Sequence, residues 1–217
     1  MKIKILKKSI LLVCSLALLT QVYLWAEPTF AIQDQDDDEV IVTLNVETGI
    51  TISKEDDVTM LPTLGIASDT SIGQTSWTVK TNNVAGYNLN VKASSSPAMV
   101  HSNTVNSFAD YSETSSGVPE TWSVASGDYE FGFSAYGDDV EDTTWGVGVD
   151  CGTSSTISTN DLNYLGFKTT DKTIATRNAV TPNAGVETNI CFAAEQNGVY
   201  APSGTYTATI TATAVTL

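Results

Sequence analysis

The residues best placed to do chemistry in this sequence are acidic and gathered in short runs. Asp138, Asp139, Glu141 and Asp142 lie in the stretch GDDVED, and Glu55, Asp56 and Asp57 follow Lys54 in KEDD. Carboxylates crowded into a turn offer hard oxygen ligands, so the chemistry they could support is calcium binding. GDDVED is the candidate metal site, and calcium is the one cofactor the sequence suggests. A third run, Asp34, Asp36 and Asp38, has the spacing that opens an EF-hand loop. It fails, because Glu39 occupies the position that needs glycine and Asn45 the one that needs a bidentate glutamate. Paired loop carboxylates would also suit a glycosidase, although solvated charge is the plainer expectation for such runs.

Other catalytic chemistry finds less support. His101 is the single histidine, so a multi-histidine centre is excluded and a Ser-His-Asp triad would rest on one residue in a polar loop. An exposed loop position is expected for it. No G-x-S-x-G, Walker or dinucleotide-binding pattern occurs. LPTLG, residues 61–65, has Leu64 where a sortase signal has Thr and lies mid-chain with no apolar segment and basic tail after it. It reads as a proline-containing turn. Lys80 and Lys92 alternate onto the polar faces of their strands, which argues against a buried isopeptide bond.

The compartment follows from the amino terminus. Lys2, Lys4, Lys7 and Lys8 precede an apolar run from Ile10 to Leu19, the order of a Sec-type signal peptide. Cleavage after Ala31 is the first expectation and after Ala26 the second, with an uncleaved anchor as the rival and the one route to a membrane. Cys14 follows Val13, where a lipobox needs a small residue, so lipidation is not expected. Removing residues 1–31 takes away four lysines and one glutamate, which moves the formal charge from −15 to −18. Such a surface repels phosphate backbones, so nucleic acid is not an expected partner. Cys151 and Cys191 remain, and an even pair in an exported chain is expected to form one disulfide.

The elements that must position these residues are strands. IQDQDDDE, residues 32–39, is a charged tract without period and reads as a linker. Val40 to Ser53 then alternates, with Val40, Val42, Leu44, Val46, Ile50 and Ile52 on one face, and predicts a half-buried strand. Thr75 to Ala93 predicts a hairpin around NNVAG. Further strands are expected at Trp122–Val124, Tyr129–Ala135, Trp145–Val149 and Val186–Ala194. In the closing stretch Tyr206, Ala208, Ile210, Ala212 and Ala214 face inward and the intervening threonines face solvent. A recurring W-x-V unit at Trp77, Trp122 and Trp145 would supply bulk to fill the room those alanines leave. The fold class is therefore all-β, one antiparallel β-sandwich of Ig-like or flattened-barrel form over residues 40–217, after a signal peptide (1–31) and an acidic linker (32–39).

The segments VKTNNVAGYNLNVKAS, residues 79–94, and SGTYTATITATAVTL, residues 203–217, resemble the WxL-type surface domains of Gram-positive bacteria. There a strand, a polar turn, a G-W-x-L strand and a closing G-x-Y-x-x-x-I strand recur. Tyr87 stands where the first motif has Trp, giving Gly86-Tyr87-Asn88-Leu89, and the closing strand lacks the second motif's Trp. A similar closing strand occurs in fimbrial and spore-coat subunits. The resemblance implies a secreted β-sandwich held at the cell wall.

The leading expectation is a secreted, non-enzymatic structural or adhesive protein of the cell surface or wall, with wall polymer, other surface proteins or its own copies as partners. A second is a pilin-like or coat subunit in which the Val40–Ser53 strand is exchanged between neighbours. A third is a carbohydrate-binding module or hydrolase. Tyr87, Trp122 and Trp145 are the candidate wall or glycan contacts.

Overall fold

The computed structural model describes residues 40–217; the segments expected to be a signal peptide (1–31) and an acidic linker (32–39) lie outside the described residues. The unit Val46–Leu217 is built from twelve short strands. In chain order they are β1 (Ile50–Lys54), β2 (Thr70–Thr81), β3 (Tyr87–Ala93), β4 (Val100–His101), β5 (Ala109–Asp110), β6 (Glu120–Thr121), β7 (Tyr129–Tyr136), β8 (Asn163–Gly166), β9 (Lys172–Arg177), β10 (Val186–Gln196), β11 (Tyr206–Thr207) and β12 (Ile210–Thr216). The large sheet has the order β1-β2-β10-β7-β8-β6, antiparallel throughout, with β5 added in parallel on β7. A second sheet has the order β12-β3-β9, and β11 pairs with β4. The fold is all-β and sandwich-like, as the alternation predicts.

Strand β10 is central because its sequence suits burial on both faces. Ile190, Phe192 and Ala194 enter the main core, while Cys191 and Ala193, which alternate with them, enter a second one. The main core lies between the two sheets. Phe133 and Phe167 stack at 4.3 Å between centroids, with Phe131 5.4 Å from Phe167 and Trp145 5.4 Å from Phe133. Across from them β3 alternates strictly, with Tyr87, Leu89, Val91 and Ala93 buried and Asn88, Asn90 and Lys92 half-buried. Strand β12 runs beside β3, pairing Ile210 with Ala93, Ala212 with Val91 and Ala214 with Leu89. Those inward residues pack on the core and their threonine neighbours are exposed. Fully burying a side chain such as Leu89 or Phe133 stabilises by about 1.5–3 kcal/mol, and the half-buried alanines of β12 contribute less.

The second core covers the outer face of the large sheet. Tyr111 stacks on Trp122 at 4.5 Å, and Trp122 meets Tyr164 edge-on at 5.2 Å. A side chain at Gly132 in β7 would collide with Tyr111 and Trp122, so glycine is what lets the aromatics lie on the sheet. Cys151 and Cys191 are joined by a disulfide with Cα atoms 5.4 Å apart. It fastens the loop that carries Ile157 and Leu162 onto β10, and all four residues share this core.

Five expectations are corrected. Val40–Ser53 is not one strand: β1 begins at Ile50, because Ile50 pairs with Thr81, the last residue of β2, and upstream residues have no further β2 partner. The Thr75–Ala93 segment contains two strands and a turn but no hairpin, since β2 pairs with β1 and β10 while β3 joins the other sheet. Trp122–Val124 forms no strand beyond the short β6 before it, and Trp145 ends a one-turn helix, α1 (Asp142–Trp145). The three indoles do not share one layer either: Trp77 and Trp145 lie in the main core and Trp122 in the second.

Candidate functional site

The acidic loop before α1 is pinned from inside. Val140 is buried in the main core, and the Asp139 carbonyl accepts the Thr176 N–H at 2.9 Å. The Asp139 carboxylate turns inward as well. Its Oδ2 accepts the Tyr87 hydroxyl at 2.8 Å and its Oδ1 accepts Arg177 Nη1 at 3.0 Å. Asp139 is nearly buried and the Arg177 side chain is 25% exposed, its Nε donating to the Val180 carbonyl at 3.0 Å. Burial pushes the Tyr87 phenol well above its usual range, and the adjacent Asp139 charge adds to that shift. Gly86 belongs to the same brace, because a Cβ there would overlap the Arg177 carbonyl and its φ is +88°.

The other carboxylates of the set diverge. Glu141 accepts the Thr144 hydroxyl at 2.8 Å, which holds its carboxyl below the usual range, and Asp142 forms the first turn of α1, where its carbonyl accepts the Gly146 N–H at 2.8 Å. Asp138, Asp139, Glu141 and Asp142 are thus neighbours in sequence without forming a shared cage. Among the described residues no group of three His, Cys, Asp or Glu side chains converges as a metal site. In KEDD, Lys54 bonds Asp57 at 2.7 Å, and that lysine lowers the Asp57 pKa.

His101 is not an exposed loop residue. It lies in β4, 9% exposed, with its ring edge-on to Tyr206 at 4.8 Å. Nδ1 accepts the Asn103 N–H at 2.9 Å and Nε2 lies 3.2 Å from the Ser203 carbonyl, so a neutral ring with its proton on Nε2 satisfies both contacts. The proposed aromatic platform is also corrected: Tyr87, Trp122 and Trp145 are all buried. Trp122 Nε1 donates to Glu195 at 2.6 Å, and Lys172 sits 5.9 Å over the Trp145 ring. Indoles fixed this way cannot stack on a sugar.

One feature had no sequence signal. Strand β1 closes one end of the large sheet and β12 one end of the small sheet, and the two are neighbours at a shared edge. Beyond β1 the edge is covered by the irregular segment 55–68, tied to β2 by the Leu61–Ile72 bridge. Between that segment and Ser203–Ile210 lie two adjoining recesses of about 480 and 760 Å³ that share Met60 and Met99. Trp77, Phe131 and Phe192 line the first, and Phe108 and Ala194 the second. Stretches 55–68 and 200–210 are far apart in sequence and nothing in either points to the other, so only folding reveals this trough.

Family models, curated proteins and solved structures were all compared with the chain, and none matches it.

Proposed function

We propose that this chain is an exported, non-enzymatic protein of the cell surface, a structural or adhesive component that meets wall polymer or other surface proteins through its acidic exterior. The observation that carries the reading is the role given to the groups that could otherwise do chemistry. Asp139 braces Tyr87 and Arg177, Glu195 holds Trp122, Glu113 accepts the Gly166 N–H at 2.6 Å, and both His101 nitrogens face backbone groups. Side chains held to architecture in this way are poorly placed to bind and transform a substrate. The disulfide supports an oxidising destination, in line with the lysine-rich, apolar amino terminus. The likeness of residues 79–94 and 203–217 to WxL-type domains favours the wall within that compartment.

The test is a pull-down of the exported chain with purified cell wall across salt and Ca²⁺ conditions. Enrichment over a soluble acidic control is expected; none under any condition would sink the attachment reading.

A further inference from the structure

The trough at the β1/β12 edge has the form of a sandwich edge that lacks a strand. On one wall, Ser203–Ile210 contains β11, which pairs with β4, and leads into β12, which pairs with β3. Among the described residues no strand pairs with the opposite side of β11 or β12. Unpaired N–H and C=O groups beside an apolar floor are a template for strand addition.

The chain also carries a segment suited to fill such an edge. Val40, Val42, Leu44 and Val46 alternate onto one face of an extended stretch, yet residues 40–49 form no strand. Their side chains are exposed by between 75 and 86%, and Ile41 by 87%. The antiparallel register explains why, since β2 offers no residue beyond Thr81 to pair with anything before Ile50. Asn82 closes that end of the pair, accepting the Gly49 N–H at 2.7 Å through Oδ1 and donating from Nδ2 to the Glu47 carbonyl at 2.7 Å. Seven residues at about 3.3 Å each span about 23 Å, close to the length of the Ser203–Ile210 wall at the same rise.

We propose that the trough receives residues 40–46 of a second copy of this chain as an added strand, with Val40, Val42, Leu44 and Val46 entering the recesses over Met60, Met99 and Trp77. Repeated head to tail, the contact is heterologous and propagates copies into a file. Electrostatics gives it a signature. The acidic run 34–39 precedes the arm, and beside the trough Glu55, Asp56 and Asp57 outnumber Lys54, which pairs with Asp57, so the net like charge opposes docking and salt strengthens it. Capture of a basic partner would weaken with salt instead. The inference deepens the surface-protein reading by naming a partner. Because assembly is measured in buffer without envelope material, its failure leaves the wall pull-down to stand or fall separately.

The experiment is sedimentation velocity on the exported chain from low to high micromolar concentration in low and high salt. Concentration-dependent oligomers that grow with salt are expected. V42D/L44D, which alters exposed side chains and should leave the melting temperature unchanged, should weaken association at least about a hundredfold by bringing charge into an apolar recess. A208R, in the trough wall, should do the same. The two variants mixed should form a heterodimer and nothing larger, since one keeps the trough and the other the arm. If A208R does not fold, competition by a synthetic peptide of residues 40–46 decides, dissociating wild-type oligomers if the trough is the receptor. A chain that stays monomeric under all conditions, a V42D/L44D variant that assembles like wild type, or a monomer whose residue 40–46 amides resist hydrogen exchange would overturn the proposal.

Discussion

Asp139→Ala offers the most direct check on the claim that the acidic loop is a brace. The substitution removes the acceptor of the Tyr87 hydroxyl and the partner of Arg177 in one step. A hydrogen bond to a charged group contributes about 1.5–3 kcal/mol, and a buried donor left without a partner costs about 1–3 kcal/mol. Arg177 is 25% exposed and keeps its Val180 contact, so it regains hydration and the ion-pair share must be discounted. Tyr87, with no exposed surface, regains none. The expected loss is about 3 kcal/mol, which for a domain of this size lowers Tm by about 6–12 °C. Tyr87→Phe should cost about 1.5 kcal/mol, because Asp139 keeps Arg177. The double variant should fall short of the sum by about 1 kcal/mol, since the two share one bond. Urea melts followed by tryptophan fluorescence would measure all three. An Asp139→Ala loss below about 0.5 kcal/mol, inside the range of ordinary surface changes, would refute the reasoning. A Tm that rises with millimolar Ca²⁺ in wild type and not in Asp139→Ala would place a ligand site where we describe a brace.

Three further outcomes are expected. Replacing both Cys151 and Cys191 by serine should cost about 4 kcal/mol in the chain-entropy account, read as a lower urea midpoint that dithiothreitol reproduces in wild type. Trp122→Phe should cost about 2 kcal/mol through the lost bond to Glu195, and in a chain starting at residue 32 acrylamide should quench Trp77, Trp122 and Trp145 weakly; strong quenching would mean displayed indoles. For Glu130, burial first and then the charges of Asp128, Glu113 and Glu195 raise the folded pKa above 4.5, against a bond from Ser112 N–H that lowers it. Its stabilising share is therefore complete below 4.5 and is lost as pH rises through the higher folded value. Glu130→Gln should flatten that part of a Tm-against-pH curve, and an unchanged slope would contradict the assignment.

How much of this was legible in the sequence differs from element to element. In Tyr129–Ala135 the aromatics Tyr129, Phe131 and Phe133 alternate with Glu130, Gly132 and Ser134, and in Val186–Ala194 Val186, Ile190, Phe192 and Ala194 share one face, so period two located β7 and β10. That the alternate residues are mostly buried as well was not legible, because the second core that covers them is built from distant segments. The inward alanines of β12 were equally plain from alternation. Val40–Ser53 shows the limit of that signal, since alternation reports which side chains share a face and says nothing of whether a partner strand continues beside them. The NNVAG turn was visible, and Gly86 N–H does bond the Asn83 carbonyl at 3.0 Å, but a turn looks the same whether the chain returns to its own sheet or crosses to the other. Cys151 and Cys191 paired as arithmetic suggested. The contacts of His101 with Ser203, Arg177 with Asp139 and Glu195 with Trp122 join residues at least 38 positions apart, for which no local pattern exists.

The bridge between Cys151 and Cys191 has a mechanical consequence. These residues are separated by 40 positions and held 5.4 Å apart, so a chain pulled from its ends hides about 130 Å of extensible length at roughly 3.4 Å per residue. A protein exposed to shear would pay out that slack only where thiols stay reduced, so oxidation state sets how far a stretched copy can lengthen before its remaining strands part.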